Sequence, residues 1–134
     1  MYLFDATSIV NLIKKGIVKP FSNGVTIDLV LYESLNAIWK EYQLLKRLDG
    51  NTALLFLDII SSVFNVIKLM SIKGVERRIF NLASKENLTL FAAYLYVAVK
   101  NKFTLVTDDQ RLRSKASKYI KVISSSELIS KYES

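Results

Sequence analysis

Three acids stand where a side chain can do more than face water. Asp5 closes the short apolar run Tyr2-Leu3-Phe4, and Asp109 follows another, Phe103 to Thr107, ahead of a basic helical stretch. Glu33 lies in a strongly apolar helical pattern, with Asn36 three residues on and therefore on the same face. Each also has a plain structural role: an aspartate after a strand is a good helix N-cap, and a glutamate near a helix start gains from the helix dipole. If Asp5, Glu33 and Asp109 converge, their charges repel unless a cation sits between them or one takes up a proton. The chain has no His and no Cys. That excludes disulfides, thiolate sites, His-type zinc sites and every imidazole acid–base mechanism. The cation would be hard and oxygen-loving, Mg²⁺ or Mn²⁺ with bound waters. Such an ion generates hydroxide and stabilises displacement at phosphorus.

The elements that must position these acids follow from periodicity and turn chemistry. Met1–Phe4 reads as a strand, and Ile9–Lys15 as a helix capped by Thr7 or Ser8 and stopped by Gly16. Pro20 and Ser22-Asn23-Gly24 mark a loop, and Val25–Asp28 a short extended piece. Helices are predicted from Leu29 to about Arg47 and from Thr52 to about Phe64, around an Asp49-Gly50-Asn51 turn. Val66–Met70 reads as a buried strand and Gly74–Leu82 as a helix. Thr89–Lys100 is apolar almost all round and reads as a central buried helix. Phe103–Thr107 and Tyr119–Ile123 are strands around a helical turn, Leu112–Ala116, and Ser125 or Ser126 opens a C-terminal helix. Strands alternating with helices predict an α/β sandwich on a mostly parallel sheet, in one domain over residues 1–134. Ligands of such sheets bind beyond the carboxyl ends of the strands, where Asp5, Asp108 and Asp109 fall.

Composition narrows the function classes. Of 134 residues 51% are hydrophobic, with one Pro and four Gly, which excludes disorder, collagen and low-complexity chain. Nineteen Lys and Arg against twelve Asp and Glu give a net charge of +7, the balance of a protein that meets polyanions, nucleic acid above all. No targeting or membrane-spanning segment is visible, because the apolar stretches are short or interrupted by Asp58, Asn65 and Lys68. A soluble, cytoplasmic protein is expected. Trp39, Tyr42 and Tyr32, at helical spacing, read as core or dimer contacts, and Tyr94 and Tyr96 as packing in a buried helix. Arg111, Arg113, Lys115 and Lys118 are either a solvated face or phosphate contacts flanking the acids.

The segments MYLFDATSIV, LVLYESLNAIWKE and TLVTDDQRL, in this order and spacing, resemble the PIN domain, and within it the archaeal and bacterial VapC-type toxins. The resemblance covers nearly the whole chain. It implies a three-layer α/β/α sandwich and a metal-dependent endoribonuclease using Mg²⁺ or Mn²⁺. Asp5, Glu33 and Asp109 would be the catalytic and metal-binding acids, supported by Thr7, Thr107 and Asp108, with Asn36 orienting the site. It also implies RNA as substrate, with Arg111, Arg113 and Lys115 as candidate contacts, a homodimer and a small antitoxin that blocks the site.

One family acid is missing. The family has an acid at the start of the late apolar helix, in an Asp-Ala-x-Tyr pattern. Counting back from Tyr94 and Ala98 puts Phe91 there, and a register anchored on Leu88-Thr89 puts Ala92 there. A lost carboxylate weakens a hard-metal site. Two functions therefore stand side by side: a PIN-type ribonuclease impaired by the loss, and a catalytically inactive PIN fold that binds RNA or protein. A receiver-like phosphoacceptor domain ranks below both, because paired acids after the first strand and a late strand-end lysine are lacking.

Overall fold

A computed structural model describes residues 1–89 and 91–133. The chain runs β1 (Tyr2–Phe4), α1 (Ala6–Lys14), a 3-10 turn (Lys19–Asn23), β2 (Gly24–Ile27) and α2 (Leu29–Trp39). A π-helical turn (Lys40–Leu44) leads to α3 (Gly50–Phe64), β3 (Lys68–Met70) and α4 (Glu76–Glu86). Then come α5 (Phe91–Asn101), β4 (Thr104–Val106), α6 (Gln110–Ala116), β5 (Val122–Ile123) and α7 (Ser125–Glu133). The predicted start of α5 at Thr89 takes in Leu90, which lies outside the described residues.

All strands are parallel, in the order β3-β2-β1-β4-β5. The pleat sends successive side chains to opposite faces. Phe4, Val106 and Ile123 join one core with Ile9 and Leu12 of α1 and Ile60 of α3. That core also takes in Val30 and Ile38 of α2 and Leu128 of α7. Leu3, Ile27 and Leu105 join the other, under Leu95 and Val97 of α5, Leu112 and Ala116 of α6, and Ile79 and Leu82 of α4. The result is the expected three-layer α/β/α sandwich. In the second core α5 buries small and large side chains together, Ala92, Ala93 and Ala98 beside Tyr94, Leu95 and Val97. At Gly24 the backbone and an aromatic ring come close: a Cβ there would meet Cε2 of Phe4 at 2.6 Å.

Boundaries shift where local chemistry competes. Helix α1 starts at Ala6 because Asp5, rather than Thr7 or Ser8, is its N-cap. Asp49 caps α3 by accepting from Thr52 N at 2.7 Å, so that helix begins at Gly50. The long helix expected to Arg47 leaves α geometry at Lys40. Strand β3 is an edge strand, with Lys68 and Leu69 exposed, rather than a buried one. Trp39, Tyr42 and Tyr32 are exposed, at 50%, 42% and 73%, so they are not core residues.

Candidate active site

Strands β1 and β4 are neighbours at the centre of the sheet, so their carboxyl ends bring Asp5 beside Thr107, Asp108 and Asp109. Asp5 N donates to Val106 O at 3.3 Å. The Asp5 carboxylate is fully buried. Its Oδ1 accepts from Ser8 N at 2.9 Å and from Thr7 Oγ1 at 2.8 Å, and its Oδ2 accepts from Thr107 Oγ1. Burial pushes its pKa up to about 6, and the bonds from Thr107, Ser8 and Thr7 oppose that rise.

The same two hydroxyls hold the late acids. Thr7 Oγ1 accepts from Asp108 N at 3.0 Å, and Thr107 Oγ1 accepts from Asp109 N at 3.1 Å. Asp109 caps α6, its Oδ1 accepting from Leu112 N at 2.8 Å. Asp108 is clamped: Oδ2 accepts from Asn11 Nδ2 at 2.7 Å and Ser125 Oγ at 2.6 Å, and Oδ1 from Ser125 N at 2.8 Å. Burial raises the Asp108 carboxyl, but these bonds and the charge of Arg113 outweigh it and leave it below its ordinary value.

Glu33 reaches the acids from α2. Its Oε1 accepts a hydrogen bond from the hydroxyl of Tyr94, a fully buried residue of α5. Burial raises the Glu33 carboxyl and the Tyr94 bond opposes it. The phenol is pushed far up by burial, then by the bond to Glu33 and its charge, and by the charge of Asp5. The helical pattern showed Tyr94 as a packing residue; nothing in it signals the bond across to α2.

A cleft of about 640 Å³ lies over this edge. Thr7, Glu33, Asn36, Asp108 and Asp109 line it, while Asp5 lies behind the wall. Lys14, Lys40, Glu41 and Arg47 form its outer side. Arg111, Arg113 and Lys115 do not line it. Arg111 donates to Asn87 O at 2.6 Å, Arg113 pairs with Glu127 at 3.0 Å, and Lys115 faces Glu86. The cleft's own cations and Asn11 were readable in spacing: Thr7, Asn11 and Lys14, like Glu33, Asn36 and Lys40, recur at one helix face. Of the two residues aligned with the missing acid, Phe91 lines the cleft and Ala92 is buried in the core.

No family model matches the chain. A stretch of 97 residues, 72% of the chain, is 35% identical to Exonuclease VapC9 of Pyrobaculum aerophilum and spans 69% of that protein. The chain belongs to the VapC-like PIN-domain family. The crystal structure of PAE2754 from Pyrobaculum aerophilum agrees: TM-score 0.79 and 28% identity, over 97% of this chain and 94% of that one. Membership in the VapC-like family implies, in general, a PIN nuclease of the toxin class that depends on a divalent metal.

The VapC-like cleft fits such a metal by its donor set, which is all oxygen, as a hard cation requires. It also holds an acceptor without a donor. Glu41 Oε2 is buried and receives no hydrogen bond, while Oε1 pairs with Lys14 at 2.5 Å. A buried carboxylate oxygen left unpaired is costly until a donor or cation meets it. Among the described residues no three acids form a ready-made ligand group. The VapC-like site therefore has Glu33, Glu41, Asp108 and Asp109 in one cleft and Asp5 behind its wall, and these acids are not preassembled.

Proposed function

We propose that this VapC-like chain is the toxin of a toxin–antitoxin pair and a metal-dependent endoribonuclease. The observation that carries the reading is the hydroxyl-linked acidic edge: Thr7 and Thr107 hold Asp5, Asp108 and Asp109 together, and Glu33 faces the same cleft. Asp5, Glu33 and Asp109 would hold Mg²⁺ or Mn²⁺, which supplies an activated water and charge stabilisation for cleavage of an RNA phosphodiester. Thr7 and Thr107 fix the Asp5 carboxylate and the backbone of Asp108 and Asp109, Asp108 anchors the edge through Asn11 and Ser125, and Asn36 orients groups in the cleft. Lys14, Lys40 and Arg47 sit where phosphates of the RNA would lie.

The neighbouring surface supports a homodimer. Leu35, Trp39, Tyr42 and Leu54 leave an apolar groove between α2 and α3 exposed, the kind of patch that marks a protein contact. An antitoxin segment would cover the cleft. Among the described residues no helix is long and apolar enough to cross a membrane, and a cytoplasmic site of action is part of this reading.

The test is cleavage of linear and circular RNA by the purified protein with Mn²⁺, Mg²⁺ or EDTA. Cleavage of the circle distinguishes endonuclease action from the exonuclease activity for which VapC9 is named. Loss of cleavage in EDTA and in Asp109→Asn is expected. Cleavage that persists in both would overturn the site. A second reading, an inactive RNA- or protein-binding PIN fold, is favoured by Phe91 in the cleft wall and by the full burial of Asp5. It predicts RNA binding without cleavage under any metal.

A further inference from the structure

The charge of the chain is not spread evenly over its fold. Residues 76–123, which carry α4, α5 and α6, contain ten Lys and Arg against four Asp and Glu; all other residues together contain nine against eight. Nearly the whole net charge of +7 therefore belongs to this segment, whose helices cover one face of the sheet.

Of the four acids of that segment one, Glu76, stands exposed on α4, at its first turn, where its Oε1 accepts from Gly74 N at 2.5 Å; the other three are withdrawn from the outer surface. Asp108 and Asp109 belong to the cleft, away from the α4–α5 surface. Glu86 is buried, held by Lys118 Nζ at 2.8 Å and the Tyr119 hydroxyl at 2.8 Å, and those bonds keep its carboxyl ionised below the ordinary range.

A groove of about 390 Å³ runs along this surface between α4, α5 and Tyr119. Arg78 and Lys85, two turns apart on α4, line one side, and Tyr96 and Tyr119 line the other. The cations are set against the rings: Lys100 Nζ lies 5.9 Å from the Tyr96 ring centre, and Lys85 Nζ lies 5.9 Å from that of Tyr119. Arg78 Nη1 reaches the Tyr96 hydroxyl at 3.4 Å. Rings interleaved with cations are what a flexible polyanion with stacking bases requires, since the cations meet phosphates and the rings meet bases. A folded acidic protein needs the charges but not the rings.

We propose that this groove is a docking surface for single-stranded RNA, separate from the acidic cleft. The proposal deepens the ribonuclease reading and rests on RNA being the substrate class. Helix α6 joins the two places. It starts at Asp109 and Gln110 on the cleft, carries Arg111, Arg113 and Lys115, and ends just before Lys118 and Tyr119 at the groove. Seven helical residues span about 10 Å, so a strand seated in the groove continues along α6 to the acids. The groove then sets which stretch of RNA is presented, independently of the sequence at the cleft.

The test is binding of a labelled single-stranded oligoribonucleotide in EDTA, where the strand stays intact, across a salt series. It compares the wild-type protein with Arg78→Gln/Lys85→Gln/Lys100→Gln, with Tyr119→Leu and with Tyr119→Phe. Removing three phosphate contacts should flatten the log–log salt slope by about 2 and weaken binding on the order of 10²-fold at ~0.1 M salt. Tyr119→Leu should weaken binding several-fold at unchanged slope, and Tyr119→Phe should bind as wild type. Melting temperatures close to wild type show that the exposed substitutions leave the fold intact. Wild-type affinity and slope in the triple variant would overturn the proposal. So would a triple variant that loses binding to polyglutamate but not to RNA, which would make the partner an acidic polypeptide. A protein that binds RNA through the groove yet never cleaves it, with any metal, sinks the nuclease reading and leaves the groove standing.

Discussion

The two helical layers pack on the same sheet but face solvent with different chemistry. Over α2 and α3 the surface is apolar: Leu35, Trp39, Tyr42, Leu54 and Leu55 are all exposed, in a half of the chain that is close to neutral. Over α4, α5 and α6 it is basic and tyrosine-bearing, with Phe80 as the main apolar exception. The acidic cleft lies along the seam at the carboxyl ends of the strands. Apolar surface is non-directional and suits a permanent protein contact; a charged face loses its attraction as salt rises and suits a substrate that must leave. On the proposed function, the difference would separate assembly from substrate handling within a small chain.

The strongest way to probe this division is to strike the seam. Asp109→Asn keeps a good N-cap for α6, so the fold should hold while RNA cleavage falls on the order of 10²-fold or more, measured as initial rates in Mn²⁺. RNA affinity in EDTA should change far less. An equal loss of both would mean that the seam, not the basic face, carries the binding.

A smaller effect concerns the buried acid at the seam. Burial raises the Asp5 pKa from 3.8 to about 6, so between these values the native state holds a proton that the unfolded chain has released. Stability from this group is fully present below about pH 4 and is lost as pH rises through about 6, a change of about 3 kcal/mol in metal-free protein. Asp5→Asn should flatten that part of the pH dependence in urea melts at constant ionic strength. An unchanged pH profile would place the titration elsewhere.

Trp39→Glu tests the apolar face. A charge forced into a desolvated contact should weaken self-association ~30-fold, read by sedimentation velocity across a concentration series, with no change in the salt slope of RNA binding. If the RNA slope moves instead, the two faces are not separate devices. The smallest effect is expected at the strap between them. Arg113 of α6 pairs with Glu127 of α7 at 3.0 Å on the surface, and Arg113→Gln should cost under ~1 kcal/mol in a denaturant melt.

The architecture was legible because its determinants are local. Apolar runs ending in Asp5 and Asp109 mark strand ends, and alternation with helical patterns forces a parallel sheet. What stayed hidden depends on partners distant in the chain. The Tyr94 bond to Glu33 joins residues 61 positions apart, and the Asn11 and Ser125 clamp on Asp108 spans most of the molecule. The π-helical turn at Lys40 has no breaker residue to announce it. The Asp5 cap was legible only as one of several candidates: Thr7 and Ser8 are also capping types, and only the strand's end at Phe4 decides among them. The split between an apolar and a basic face was present in the residue order, but it emerges only once the topology says which helices share a side.

The clamp on Asp108 has a consequence for biosynthesis. Asn11 is made almost at the outset and Ser125 after every other residue of the acidic edge. The clamp is therefore a long-range closure that cannot form before α7 is made, since its loop entropy is met only when both ends exist. Asp5 and Asp109 find their hydroxyl partners, Thr7 and Thr107, earlier in the chain, so the clamp on Asp108 is the late step. Asp108 stays unclamped until α7 docks, so the acidic edge is completed only late in synthesis.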